Sequence, residues 1–174
     1  ERSAERFAHA GELLSQLPLP AEILPAVDGS LLSDADIASA YQHNRHRPPY
    51  PFSLNVGEIG CFLSHRNAWT QIVERNLDAA LVLEDDVCID QTLIHNAIEC
   101  VKHKSSPGDF FQFPVRPLPR RSSRSSVDDN ISIVCPQVTP LRTSGQWVTR
   151  DAAARLLDLT QVFDRPVDTF LQMH

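Results

Sequence analysis

Glu84, Asp85 and Asp86 end an apolar, strand-like run, ALVLEDDV, at residues 80 to 87. Three adjacent carboxylates at the mouth of a buried strand repel one another, so something must offset their charge. Hard oxygen donors at this short spacing suit Mg²⁺ or Mn²⁺ and the phosphates such ions carry. The bland alternative is a solvated acidic turn, and the triplet alone does not decide between them. Position favours chemistry, because the carboxyl end of a strand lies in the crevice where open α/β sheets bind ligands.

Two further groups could work with these carboxylates. Glu58, Gly60, Ser64 and His65 mark a glycine-flanked helix start, where free N–H groups can receive an anion and His65 can donate to a phosphate or hydroxyl. The plain reading of His65 is a helix histidine resting near Trp69 and bonded to backbone. Asp168, in Pro166-Val167-Asp168 with His174 beyond, is either a site carboxylate or a helix N-cap. Arg116, Arg120, Arg121 and Arg124 could hold an anionic acceptor. The favoured reading is that they belong to a solvated, disordered loop.

The elements that must position these residues alternate along the chain. Residues 3 to 17 place Phe7, Ala10, Leu14 and Leu17 on one helical face, and Pro18 and Pro20 stop that helix. Glu22 to Val27 reads as a short strand closed by an Asp28-Gly29 turn, and Ser33 with Asp36 resembles a capping box. The proline-bearing stretch YQHNRHRPPYPFS reads as a loop beside a site or over the surface. In NVGEIGCFLSHRNAWTQIVERN, Phe62, Trp69, Ile72 and Val73 recur at helical spacing behind Gly57 and Gly60. The following run, ALVL, has the continuous apolar character of a strand buried on both faces of a parallel sheet.

A helix over Thr92 to Lys104 then turns Ile94, Ala97, Ile98 and Val101 inward, and Asp109 to Phe113 reads as a strand. Residues 114–130, rich in proline, serine and arginine, have neither period and read as a mobile loop. A strand over Ile131 to Cys135 and a helix over Asp151 to Leu159 complete the alternation. The pattern predicts an α/β sandwich with a largely parallel sheet.

With 174 residues, 42% of them hydrophobic, the chain has room for one core and one domain. A formal net charge of -6 argues against a nucleic-acid partner. No apolar run approaches the roughly 20 residues that span a bilayer. Cys61, Cys88, Cys100 and Cys135 form no C-x-x-C pair, so buried reduced thiols in a reducing compartment are expected rather than zinc ligands or disulfides.

AVDG at 26–29, GEIGCFLSHRNAW at 57–69, LVLEDDV at 81–87, TSGQWVTRDAAARLL at 143–157 and PVD at 166–168, in that order, resemble glycosyltransferase family 25. These are the lipopolysaccharide and lipooligosaccharide glycosyltransferases, often β-galactosyltransferases, with collagen galactosyltransferases among their relatives. The resemblance covers nearly the whole chain. It implies a single GT-A-like domain over 1–174, a three-layer α/β/α sandwich with a mostly parallel central sheet. A first strand of the family's I-N-L type is expected ahead of Glu1, and more acceptor-side sequence beyond His174.

The implied reaction is inverting transfer of a sugar, galactose above all, from a UDP-sugar to a hydroxyl of a glycolipid or oligosaccharide acceptor. Mn²⁺ or Mg²⁺ would be held by Asp86 with Glu84. Glu58, Gly60, His65, Glu84 and Asp85 would contact the donor, and Asp168 would be the general base or, nearly as readily, a third metal contact. Such a protein is expected in the cytoplasm, with peripheral association at the inner membrane. A catalytically silent relative, kept as a binding module, is the alternative, and a metal-dependent hydrolase on the same carboxylates is a distant third.

Overall fold

Residues 2–116, 123–126 and 131–173 are described in the structure, a computed structural model of the chain. The elements are α1 (Arg2–Ser15), a 3-10 turn (Gly29–Leu31), α2 (Asp34–Ala40), α3 (Val56–Glu74), β1 (Ala79–Leu83) and α4 (Gln91–Lys104). They continue with β2 (Phe110–Gln112), β3 (Ser123–Ser126), β4 (Ser132–Cys135), β5 (Gly145–Thr149), α5 (Arg150–Leu159) and α6 (Val167–Leu171).

The sheet corrects the expectation of parallel pairing. Its order is β1-β5-β2, and β5 runs antiparallel to both neighbours. The crossover β1-α4-β2 does bring back a strand in the same direction. The unforeseen β5 then fills the space between them. Strand β1 is therefore an edge of this small sheet and is half-buried along its length, not enclosed on both faces.

Alternation along the strands sorts side chains into two cores. Leu81, Trp147 and Phe111 lie in register and, with Phe113, meet Ile94, Ile98 and Val101 of α4. On the other face Ala80, Val148 and Phe110 lie in register and pack with α3, α5 and α6. There the Phe62 ring stacks on Phe163 at 3.8 Å and meets Phe170 edge-on at 5.7 Å, all three fully buried.

Helix α3 is the main wall of that core. Asn55 caps it, its side chain accepting from Glu58 N while the Glu58 carboxylate accepts from Asn55 N. Gly57 and Gly60 are thus inside the helix, not in a turn before it. Ile59, Phe62, His65, Trp69 and Ile72 form its buried stripe, and the one polar member faces the sheet.

The AVDG segment crosses α3 at backbone contact. A Cβ on Gly60 would lie 2.7 Å from the Val27 carbonyl oxygen and 2.8 Å from Gly29 N, and a Cβ on Gly29 would lie 1.8 Å from the Val56 oxygen. Val27 N donates to Ser64 Oγ at 2.8 Å, and that hydroxyl donates to the Gly60 carbonyl at 2.8 Å. Residues 22–27 accordingly form no strand, since a side chain takes the bond a sheet neighbour would offer.

Other elements vary in their agreement. The Ser33/Asp36 capping box is present on α2, and Asp90 caps α4 through Leu93 N. Helix α1 forms but turns Leu13 inward and leaves Phe7 65% exposed, because Arg6 and His9 face the loop after β1. Within the stretch read as a loop, β3 pairs antiparallel with β4; residues 117–122 and 127–130 lie outside the described residues. Of the cysteines only Cys100 is buried, and the described residues contain no disulfide.

Gly60→Ala forces a methyl group against two backbone segments, so the variant is expected to lose about 1–3 kcal/mol of stability. Urea unfolding measures it. Gly11→Ala, at a position with open space around the new Cβ, is the matched control.

Candidate functional site

Period-two alternation continues past the end of β1 and decides where each carboxylate goes. The ladder extends one step, with Glu84 N donating to the Ser144 carbonyl at 2.9 Å. Glu84 therefore follows Ala80 and Val82 onto the α3 face, and Asp86 lines the same cleft. Asp85 turns the other way and pairs with Arg6 of α1, whose guanidinium also lies 3.9 Å from Asp86. His9 Nε2 donates to the Val87 carbonyl at 2.9 Å and ties the same helix to this turn.

The cleft holds about 600 Å³, within the usual range for small-molecule sites. Glu58 and Cys61 line it from α3, Glu84, Asp86, Val87 and Cys88 from the turn after β1, and Arg142, Thr143 and Ser144 from the approach to β5. Pro166, Val167 and Asp168 complete it from the start of α6. Glu58, the Glu84/Asp86 pair and Asp168, from three distant parts of the sequence, thus share one cavity. Asp168 is not the N-cap of α6, a place held by Pro166. Its Oδ2 accepts from Arg142 N at 3.2 Å and its Oδ1 from Thr169 N at 2.6 Å.

His65 lies beneath the cleft, 5% exposed. Gln146 Nε2 donates to His65 Nδ1 at 3.0 Å, so the ring proton sits on Nε2, facing Glu84 Oε1 at 3.5 Å and Thr143 Oγ1 at 3.4 Å. This hydrogen bond from His65 holds the Glu84 carboxyl below its ordinary range against the pull of desolvation, and Ser144 and the Arg6 charge add to the effect. The ring does rest near Trp69, at 6.2 Å between centroids, but its bonds run to side chains rather than backbone.

Gly60 does not line the cleft; it is the contact point with residues 27–29. The α3 start is likewise closed by its own capping box instead of being left open for an anion. Cys61, Arg142, Thr143 and Gln146 were not singled out from sequence. Loss of hydration and then the carboxylates, Glu84 first, push the Cys61 thiol up to about 11.

Four carboxylates line the cleft, and their oxygens are the donors that Mg²⁺ and Mn²⁺ take, but among the described residues no three of these carboxylates lie within 4.8 Å of one another. Cys61, His65 and Glu84, whose ligand atoms lie within 4.8 Å of one another, form a softer group to which Asp86 does not belong.

Behind the α6 wall is a buried charge cluster. Asp164, fully buried, accepts from Arg165 Nε at 2.7 Å and from His46 N at 2.7 Å, and Arg165 also donates to the Pro48 carbonyl at 2.8 Å. These bonds tether the proline-bearing loop next to Asp168. Tyr50 of that loop feels the cleft, its hydroxyl pushed up by burial and by the Glu58 and Asp168 charges.

A family model described as Glycosyltransferase family 25 (LPS biosynthesis protein) matches residues 1–171. The chain belongs to glycosyltransferase family 25. A Glycosyltransferase 25 family member of Drosophila melanogaster is 28% identical over 180 residues, which cover 99% of this chain and 29% of the relative. Procollagen galactosyltransferase 2 of Homo sapiens is 38% identical over 90 residues, covering 50% of this chain and 14% of the relative. Inactive glycosyltransferase 25 family member 3 of Mus musculus is 35% identical over 94 residues, covering 49% and 15%. The chain thus spans less than a third of the length of these family 25 relatives.

Burial alone would raise the Asp164 carboxyl, but the bonds from Arg165 and His46 outweigh it and bring it down to about 2 from 3.8. A depressed carboxyl contributes stability above its unfolded value and loses it as pH falls through the folded one. Stability should therefore fall between pH 3.8 and about 2, and Asp164→Asn should flatten that slope. At neutral pH the variant should lose about 3–5 kcal/mol, because Arg165 is left buried and unpaired. Chemical unfolding across pH checks both.

Proposed function

We propose that this family 25 chain is the catalytic domain of an inverting hexosyltransferase that moves galactose from UDP-galactose to a sugar or protein hydroxyl. One observation carries the reading: Glu58, Glu84, Asp86 and Asp168 converge on one cleft. Those carboxylates repel a diphosphate unless a cation lies between them, and Asp86 with Glu84 offers it oxygen ligands. A divalent ion there would offset the charge that develops on the diphosphate as the sugar–phosphate bond breaks.

The chain's own groups supply the rest. Asp168 takes the proton of the acceptor hydroxyl as that oxygen attacks the anomeric carbon from the face opposite the leaving diphosphate. Backbone N–H donors from Arg142 and Thr169 fix its two oxygens, so the base is held in place before substrate arrives. His65 positions Glu84 from below, and Gln146 sets the tautomer in which it does so.

The acceptor we favour is a lipopolysaccharide or lipooligosaccharide glycan, in keeping with the family description. The animal relatives' names point to procollagen instead, and a hydroxyl nucleophile is common to both. With a glycolipid acceptor the protein would work in the cytoplasm at the surface of the inner membrane. A second reading, a silent binding module, draws support from Arg6, which already pairs with Asp85 and lies near Asp86, and from the mouse relative named inactive.

Calorimetric titration with UDP separates the two. Binding should tighten at least about tenfold, or 1.4 kcal/mol, when Mn²⁺ is added, and Asp86→Asn should remove that increment. A folded Asp86→Asn protein with unchanged metal dependence would sink the metal assignment, and no UDP binding in either condition would favour the silent module. Asp168→Asn should bind UDP normally yet lower turnover by about 10²–10⁴-fold, the range of a lost general base.

A further inference from the structure

The floor of the cleft carries a second kind of cation chemistry. Cys61 and His65 stand four residues apart on α3 and so share a helix face. Glu84 reaches them from the end of β1. Their ligand atoms lie within 4.8 Å of one another, and His65 Nε2 is 3.5 Å from Glu84 Oε1. Two ligands of one tetrahedral ion at about 2 Å stand about that far apart. We propose that Cys61, His65 and Glu84 form a site for Zn²⁺ or a similar borderline divalent ion, with its fourth position open to the cleft.

The donor set distinguishes this site from the oxygen site of Asp86. A thiolate and an imidazole with one carboxylate select zinc or cobalt over magnesium. A separate observation supports it. Gln146 is fully buried, yet its Oε1 has no hydrogen-bond partner. For His65 Nε2 to bind a metal, the ring proton must move to Nδ1 and meet an acceptor there. Turning the Gln146 carboxamide over offers Oε1 to that N–H, in exchange for the bond from Gln146 to the Thr143 carbonyl.

Binding would release the Cys61 thiol proton to solvent as the metal–sulfur bond forms. The surrounding carboxylates, which disfavour a bare thiolate, attract the cation that replaces the proton. Zinc held here would also draw Glu84 away from an ion beside Asp86. The inference needs no sugar donor and stands whether or not the chain is a transferase.

Cobalt tests it directly, because a thiolate ligand gives Co²⁺ a charge-transfer band. The whole chain, kept reduced, should develop that band with one equivalent of Co²⁺, lose it to Zn²⁺ and keep it in excess Mg²⁺. Cys61→Ser should abolish the band. Cys88→Ser, on the same cleft, should leave it intact. In the unaltered protein, zinc at ten times its Kd should slow alkylation of Cys61 roughly tenfold and that of Cys88 little, as read by peptide mass spectrometry, so the test survives a Cys61 variant that does not fold. Absence of the band, its loss in Cys88→Ser, or equal alkylation of Cys61 with and without zinc would overturn the proposal.

Discussion

Crowded negative charge is the constraint around which this molecule is arranged. Glu84 and Asp86 leave the end of β1 toward a cleft that already contains Glu58 and Asp168. Each carboxylate raises the cost of the others, so the protein distributes compensation among separate partners. Glu58 is held at the start of α3, where the helix dipole favours an anion. Glu84 has His65 below it, Asp168 has two backbone donors, and Arg6, paired with Asp85 outside the cleft, lies 3.9 Å from Asp86. What is left over is an electronegative cleft.

That arrangement depends on distances the scaffold cannot relax. His65 reaches Glu84 because α3 runs beside β1 and is tied to β5 through Gln146, and α3 is positioned in turn by the segment that crosses it at Gly60. The buried stripe of α3 is apolar except at His65, and on the face of β5 that shares its core Val148 is joined by one polar side chain, Gln146. The two exceptions meet. A lone buried imidazole or carboxamide would cost more than it contributes; the bond from Gln146 Nε2 to His65 Nδ1 offsets part of that cost and aims the ring at the site.

The parts of this design that were legible in sequence are those governed by local periodicity. Helices α1 to α5 announce themselves by apolar spacing and composition, and α2 also by its Ser33/Asp36 capping box, while the alternation through Leu83 is enough to separate Asp85 from its two neighbours. Strand β5 was not legible. GQWVT is short, buried at all five positions and interrupted by a glutamine, so it carries neither the polar alternation of a half-exposed strand nor an unbroken apolar run. Missing it made the sheet look parallel and hid Gln146, the partner that explains His65. Cys61 and Arg142 became site residues only through long-range packing, which no local pattern reports.

Asp164 and Arg165 show the same limit most clearly. Adjacent opposite charges in a sequence look like solvated surface, yet here one is fully buried and the other nearly so. An apolar pair of similar volume could fill that space at lower desolvation cost. It could not accept from His46 or donate to the Pro48 carbonyl, and those bonds fix the proline loop and Tyr50 beside the start of α6. Asp168 stands three residues beyond Arg165 on that same start. The buried pair is therefore best understood as a strut: stability is traded for a fixed angle between the loop and the helix turn that presents the carboxylate to the cleft.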